Sequence, residues 1–289
     1  MDWAAYAETW PNAGASRFAH VRPHRWHLQR MGPADAPAVL LLHGLGGATH
    51  SWRDLAPRLA RRWQVIAPDL PGHGFTRLGA LQRSSPDLMA ADLETLLAAE
   101  DLRPAAIIGH SAGGALALRM AQRAATPPAA VVGLNAALED FEGQAGWLFP
   151  MMARALAMNP LVAPTVSRLA GSARSVQGLI DATGSRLDAL GLALYRACLS
   201  DARHVDGALT MMAQWRLRGM RSALPRTGVP VLLLAGDRDR AVSPETAERA
   251  RARLPLGEAM RLDGLGHLAH EEAPDEIAAR IDRFLDRHL

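Results

Sequence analysis

Ser111 stands between two glycines in Gly109-His110-Ser111-Ala112-Gly113, after the apolar run Ala105 to Ile108 and before the Ala/Leu/Met-rich stretch from Ala115 to Ala125. That G-x-S-x-G spacing, set between a strand and a helix, suits a sharp turn that lifts a serine hydroxyl clear of a sheet. A serine hydroxyl is a weak nucleophile near neutral pH, so it needs a base, and the base needs an orienting acid. Two later loops offer them in the order serine, acid, histidine. Asp237 and Asp239 follow the run Val229 to Ala235, and His267 and His270 follow Gly264-Leu265-Gly266. Asp239 takes the acid's place in a G-x-x-D-x-x-V pattern, whereas Asp237 suits a surface turn paired with arginine. His267 comes directly after the glycine loop, as the base should. His270 lies one helical turn further and suits packing or the lining of a substrate surface. Ser111, Asp239 and His267 are the predicted catalytic residues.

Acyl transfer also requires donors for the developing oxyanion. The backbone N–H of Ala112, just after the nucleophile, is one. The loop His43-Gly44-Leu45-Gly46-Gly47, which follows Leu40-Leu41-Leu42, offers the N–H of Leu45 as the second, and its glycines allow close backbone approach. His43, and His73 in Pro71-Gly72-His73-Gly74, are read as structural. The histidines lack ligand spacing, so a metal site is not expected, and no cofactor is implied.

The elements that must position these residues alternate. Ala38 to Leu42, Val65 to Ala67, Ala105 to Gly109, Ala130 to Leu134 and Val229 to Ala235 read as short buried strands. Trp52 to Trp63, Leu88 to Ala99, Ala115 to Ala125 and Pro274 to Leu289 have helical spacing. This predicts an α/β fold with a mostly parallel sheet and helices on both faces. The alternation stops between about Ala137 and Leu224, where only helix-like segments are evident. The expected organisation is a core of residues 1–138 and 225–289 with a helical lid, residues 139–224, inserted into it.

With 289 residues, 49% of them hydrophobic, the chain can bury a large core. No stretch of about 18 apolar residues lacks a charge, which argues against a transmembrane helix. Met1 to Glu8 show no basic head followed by an apolar run, so a cleavable signal is not expected, and a cytoplasmic protein is. A lone cysteine, Cys198, excludes an intrachain disulfide. All 32 basic residues are arginine, but the net charge is only +3 and acids alternate with them, so nucleic-acid binding is not expected.

Taken together, His43-Gly44, Pro68 to Gly74, the Ser111 turn, Asp239 and His267 resemble the α/β-hydrolase family across nearly the whole chain. In that family an insertion before the acid-bearing strand forms a lid. A narrower resemblance is carried by Asp2-Trp3, Trp10-Pro11-Asn12, Ala15 to Phe18, Thr49 to Pro57, Val132 to Leu138, Gly207 to Trp215 and Gly264 to Glu272. These segments are similar to the magnesium-chelatase accessory proteins of bacteriochlorophyll-making bacteria. That resemblance implies a role near magnesium insertion into protoporphyrin IX. The chain departs from the family at Leu45, where His-Gly-Thr-Gly is expected; a backbone donor survives that change.

A flat apolar ligand, a porphyrin among the candidates, would suit the Met- and aromatic-rich insertion. His110, Trp147, Met151, Met152, Met211, Met212 and His270 are the expected lining residues. Magnesium chelatase subunits are the implied protein partners. Membrane contact is expected to be peripheral at most, because Pro150, Asn159 and Pro160 interrupt the stretch from Trp147 to Ala163. Three functions stay open at this point: an active serine hydrolase of ester type, a non-catalytic tetrapyrrole binder or chelatase partner that keeps the triad, and a carboxylesterase unrelated to pigment.

Overall fold

Five short, largely apolar runs become the central strands of one sheet. The structure, a computed structural model, describes residues 1–80, 82–139, 159 and 161–289. The strands are β1 (Ser16–Val21), β2 (His24–Met31), β3 (Ala38–Leu42), β4 (Gln64–Pro68), β5 (Ala106–His110), β6 (Ala130–Leu134), β7 (Val231–Gly236) and β8 (Gly257–Leu262). Their order across the sheet is β1-β2-β4-β3-β5-β6-β7-β8. β2 runs antiparallel to both β1 and β4, and every later pair is parallel.

All residues of β3 to β7 are buried, as a sheet covered on both faces requires. Successive side chains serve opposite faces. Leu40 and Leu42 pack with Leu93 and Leu116, whereas Val39 and Leu41 pack with Leu55, Ile277, Ile281 and Phe284. The helices supplying these partners are α1 (Leu55–Leu59), α2 (Pro86–Ala99) and α3 (Ala112–Arg123), together with a helix at the end of the chain. Between β6 and β7, adjacent in the sheet, come α4 (Val162–Ala170), α5 (Ala173–Ala182), α6 (Ala189–Leu199), α7 (Ala202–Gln214) and α8 (Arg218–Ala223). The chain ends with α9 (Glu245–Arg251), α10 (Ala269–Glu272) and α11 (Pro274–Leu285). The fold is the α/β arrangement expected: a mostly parallel sheet with helices on both faces. No helix among the described residues is long and apolar enough to cross a membrane.

Two local features differ from expectation. The stretch from Trp52 to Trp63 is not one helix: a 3₁₀ turn covers Thr49–Trp52 and α1 is only five residues long. Pro57 explains this, because in a helix begun at Trp52 its ring would meet the carbonyl of Arg53; a start at Leu55 puts it in the first turn. The sheet also gains β1, β2 and β8, which lack a continuous apolar run. β8 is an edge strand with one buried residue, Leu262.

Candidate active site

The loops that leave the carboxyl ends of β3, β5, β6 and β7 meet at one edge of the sheet, where parallel α/β folds gather ligands. β5 ends at His110, and Ser111 follows with φ +52° and ψ −118°, a conformation strained for a residue with a side chain. Its backbone is pinned on both sides: the amide donates to the Leu134 carbonyl at 2.9 Å, and the carbonyl accepts from Gly114 and Ala137, each at 3.0 Å. Glycine is obligatory beside it. A Cβ on Gly109 would lie 2.1 Å from the Gly113 oxygen, and one on Gly113 would lie 2.0 Å from the Leu42 oxygen. Close approach of β3, β5 and α3 thus sets the turn. It also places at the serine the amino end of α3, whose Ala112 amide meets no acceptor among the described residues.

Asp239 and His267 meet. The Nδ1–H of His267 donates to Asp239 Oδ2 at 2.7 Å, and both residues are only 8% exposed. Three further donors fix the carboxylate. The Ala241 and Val242 amides reach Oδ1, each at 2.8 Å, and the Asn135 side-chain amide reaches Oδ2 at 2.8 Å. Asp237, the alternative acid, instead accepts from the Gly264 amide at the surface. With Nδ1 protonated toward Asp239, the other ring nitrogen of His267 is left as the basic one. Among the described residues the Ser111 hydroxyl makes no hydrogen bond to that ring. Serine–base contacts are often long before a substrate is bound.

The remaining predicted residues fall into distinct places. Leu45 is 38% exposed on the turn after β3, and a Cβ on neighbouring Gly44 would come within 3.0 Å of Ser111 Cβ, so this loop abuts the serine. His110 is buried; its Nε2 bonds to the His267 carbonyl at 2.9 Å and its ring centroid lies 4.4 Å from that of His270, the planes tilted by 43°. Burial, then the rings of His270 and His267, push the His110 pKa well below 6.5. His270 is also enclosed, with Nε2 2.7 Å from Ser51 Oγ and a pKa pushed down to about 3, chiefly by burial. The His110 ring lies 4.8 Å from that of His267, and the His270 ring packs on His110 and Trp52. Met211 is buried in the main core and Met212 is half-buried. Trp147, Met151 and Met152 lie outside the described residues.

Sequence reasoning missed the supporting polar groups. Asn135, at φ +47°, stands in the Val132 to Leu138 segment of the narrower resemblance, but nothing in that segment assigns it a role. Asp69, fully buried, accepts from the Thr49 amide at 2.6 Å and the Phe75 amide at 2.8 Å and bonds His27 Nδ1 at 2.8 Å. Burial alone would raise its pKa, yet His27, nearby His43 and the Phe75 amide hold it below the usual carboxylate range. Glu271 accepts from Tyr195 of α6 at 2.7 Å and from Ser51 at 3.1 Å. No cluster of three or more metal-ligating side chains exists among the described residues. A surface cavity of about 390 Å³ bordered by Asn12, Met31, Pro57 and Arg61 shares no residue with this constellation.

Residues 37–274 match the family model for the alpha/beta hydrolase fold. The chain belongs to the α/β-hydrolase fold family. This α/β-hydrolase-fold protein is 48% identical over 286 residues to the magnesium-chelatase 30 kDa subunit of Rhodobacter capsulatus, covering 99% of its own length and all of that relative. It is 30% identical over 266 residues to a pimeloyl-[acyl-carrier protein] methyl ester esterase of Xanthomonas campestris, covering 86% of its own length and 95% of the esterase. A solved structure described as a lipase of Acinetobacter baumannii superposes with a TM-score of 0.81 at 20% identity, covering 99% of this chain and 96% of that one. The last likeness concerns the fold.

Proposed function

We propose that this protein acts beside magnesium chelatase in bacteriochlorophyll synthesis, near magnesium insertion into protoporphyrin IX, and that it does so with serine-hydrolase chemistry of ester type. The observation that carries the pathway reading is the end-to-end 48% identity to a chelatase subunit. The chemical reading is supported by the Asp239–His267 pair at 2.7 Å beside the strained Ser111 turn. Chelatase subunits are the partners this reading implies, and an apolar tetrapyrrole or its ester is the ligand class. The helices between β6 and β7 act in this reading as the lid over the site.

In the proposed reaction Ser111 Oγ attacks an ester carbonyl while the free ring nitrogen of His267 takes its proton. Asp239 holds the ring by Nδ1 and stabilises the imidazolium that forms. The tetrahedral oxyanion is received by the Ala112 and Leu45 amides, aided by the positive end of α3. His267 then returns the proton to the leaving alcohol, and water releases the acyl group by the same steps.

A fluorophosphonate probe should label wild-type protein and not Ser111→Ala, and Ser111→Ala should fail to restore pigment to a deletion strain. Absence of labelling in folded protein sinks the hydrolase reading. The missing Ser111–His267 hydrogen bond favours a second reading, a tetrapyrrole-binding chelatase partner that has kept the triad. Full pigment with Ser111→Ala would establish that alternative.

A further inference from the structure

Residues 44–47 form a turn closed by the Gly47 amide, which donates to the Gly44 carbonyl at 3.1 Å, with Gly46 at φ +73°. The Gly44 carbonyl also bonds Nδ1 of the buried His43 at 2.8 Å, and His43 Nε2 accepts the Leu70 amide at 2.9 Å. His43 therefore carries its proton on Nδ1 and donates it to Gly44. In a trans peptide the C=O and N–H point opposite ways. Two donors on the Gly44 oxygen thus aim the Leu45 N–H outward, and among the described residues that N–H meets no acceptor.

One more residue enters this chain of bonds, and it comes from the helices between β6 and β7. His204, near the start of α7, accepts the Gly74 amide on Nδ1 at 2.9 Å and lies 3.0 Å from the Gly46 carbonyl through Nε2. Its proton must then sit on Nε2 and be donated to Gly46. The seat is backbone on backbone: a Cβ on Gly207, one turn along α7, would lie 2.1 Å from the Gly72 oxygen. Burial is the main reason that the His204 pKa falls to about 4, which keeps the ring neutral in the form this bonding needs.

The bonds run in series. His204 Nε2–H meets the carbonyl of the peptide unit whose N–H belongs to Gly47. That N–H meets the carbonyl of the peptide unit whose N–H belongs to Leu45. Hydrogen bonds linked this way through peptide units polarise one another. We propose that His204 is a positioning residue for the oxyanion hole, aiming and polarising the Leu45 amide through two peptide units so that the seating of α7 is felt at the oxyanion. This rests on the hydrolase reading, with Leu45 as a donor.

Glutamine at 204 can present an N–H where Nε2 stood, and asparagine can present an acceptor where Nδ1 stood. The test measures the rate constant for fluorophosphonate labelling of Ser111, with kcat and KM for p-nitrophenyl acetate, in wild type, His204→Asn and His204→Gln. His204→Asn should label about tenfold more slowly, with kcat lowered and KM unchanged, and His204→Gln should recover most of the rate. Equal rates in all three proteins, or equal slowing in both variants, overturn the proposal. Unfolding of both variants also overturns it, since the role would then be structural. A wild type that takes no label defeats the hydrolase reading instead, and this proposal falls with it.

Discussion

The side-chain amide of Asn135 donates to Asp239 Oδ2 at 2.8 Å, the same oxygen that receives the Nδ1–H of His267 at 2.7 Å. Asn135 thereby joins the end of β6 to the loop after β7, and it holds a left-handed backbone that asparagine tolerates better than most residues. Asn135→Ala should lose about 1–2 kcal/mol of stability at every pH, through the lost donor and the backbone strain. Asn135→Asp should behave differently. It sets two carboxylates together, so one is held protonated and its folded-state pKa rises. A raised carboxyl pKa means stability that is lost as pH rises, so its urea midpoint should fall further at pH 8 than at pH 5. Parallel falls in the two variants at both pH values would refute this account.

Asp239→Asn tests the acid more severely than a change of charge alone. All four partners of the carboxylate are donors: His267 Nδ1, Asn135 Nδ2 and the amides of Ala241 and Val242. An amide must turn its own N–H groups toward one of those pairs, whichever way it faces. With its nitrogen toward His267 the amide drives that ring to the opposite tautomer. With its nitrogen toward Ala241 and Val242 it leaves those two backbone amides unpaired and loses the negative charge that supports the imidazolium. Labelling of Ser111 should fall by about 10³–10⁴-fold and stability by about 1–3 kcal/mol. A variant that labels at the wild-type rate would remove Asp239 from the catalytic group.

The chemistry was far more legible in the sequence than its supports. Ser111, Asp239 and His267 stand in loops whose glycines and flanking apolar runs mark them, because the sharp turns impose residue types locally. Asn135 and His204 act on partners 104 and 158 residues away, and half of those contacts are to backbone, which leaves no pattern to read. The central strands were legible because burial on both faces makes them continuously apolar. β2 was not: it reads His-Arg-Trp-His-Leu-Gln-Arg-Met, and its buried His24, His27 and Gln29 bond Asp92, Asp69 and the Pro11 carbonyl. Polar residues paid for by distant partners imitate a surface segment. The bend between Trp52 and Leu55 does not show in the helical spacing of the apolar residues, because Pro57 imposes it through the backbone.

Gly113 should be the least replaceable residue of the serine turn. A Cβ there would lie 2.0 Å from the Leu42 oxygen and 2.6 Å from the His43 oxygen, both backbone atoms that cannot swing aside. Gly113→Ala is expected to cost more than about 3 kcal/mol, or to prevent folding. Gly178, exposed on α5 with nothing within 4 Å of its Cβ position, is the matched control. Gly178→Ala should be neutral or stabilising by up to about 1 kcal/mol, from helix propensity. Thermal melts of the two variants decide the matter, and equal melting temperatures would contradict the close packing of α3 on β3.

Glu271, on the helix that follows the base, accepts from Tyr195 of α6 and from Ser51 of the 3₁₀ turn after β3, and its burial raises its pKa from 4.5 to about 7. Tyr195, Arg53 and Ser51 oppose that rise without cancelling it. The folded state therefore binds the proton more tightly than the unfolded chain does. Its contribution to stability is complete below pH 4.5 and is lost as pH climbs toward 7. The buried histidines act with the other sign: His50 and His270, held down to about 3, and His204, to about 4, remove stability as pH falls below 6.5. Whole-protein profiles thus mix opposing slopes, and Glu271→Gln separates them. Glutamine can still accept from Tyr195 and Ser51 but does not titrate. Its stability relative to wild type should rise by about 2 kcal/mol between pH 5 and pH 8, measured by urea unfolding. A difference that stays constant across that range would mean that Glu271 does not titrate there in the folded protein.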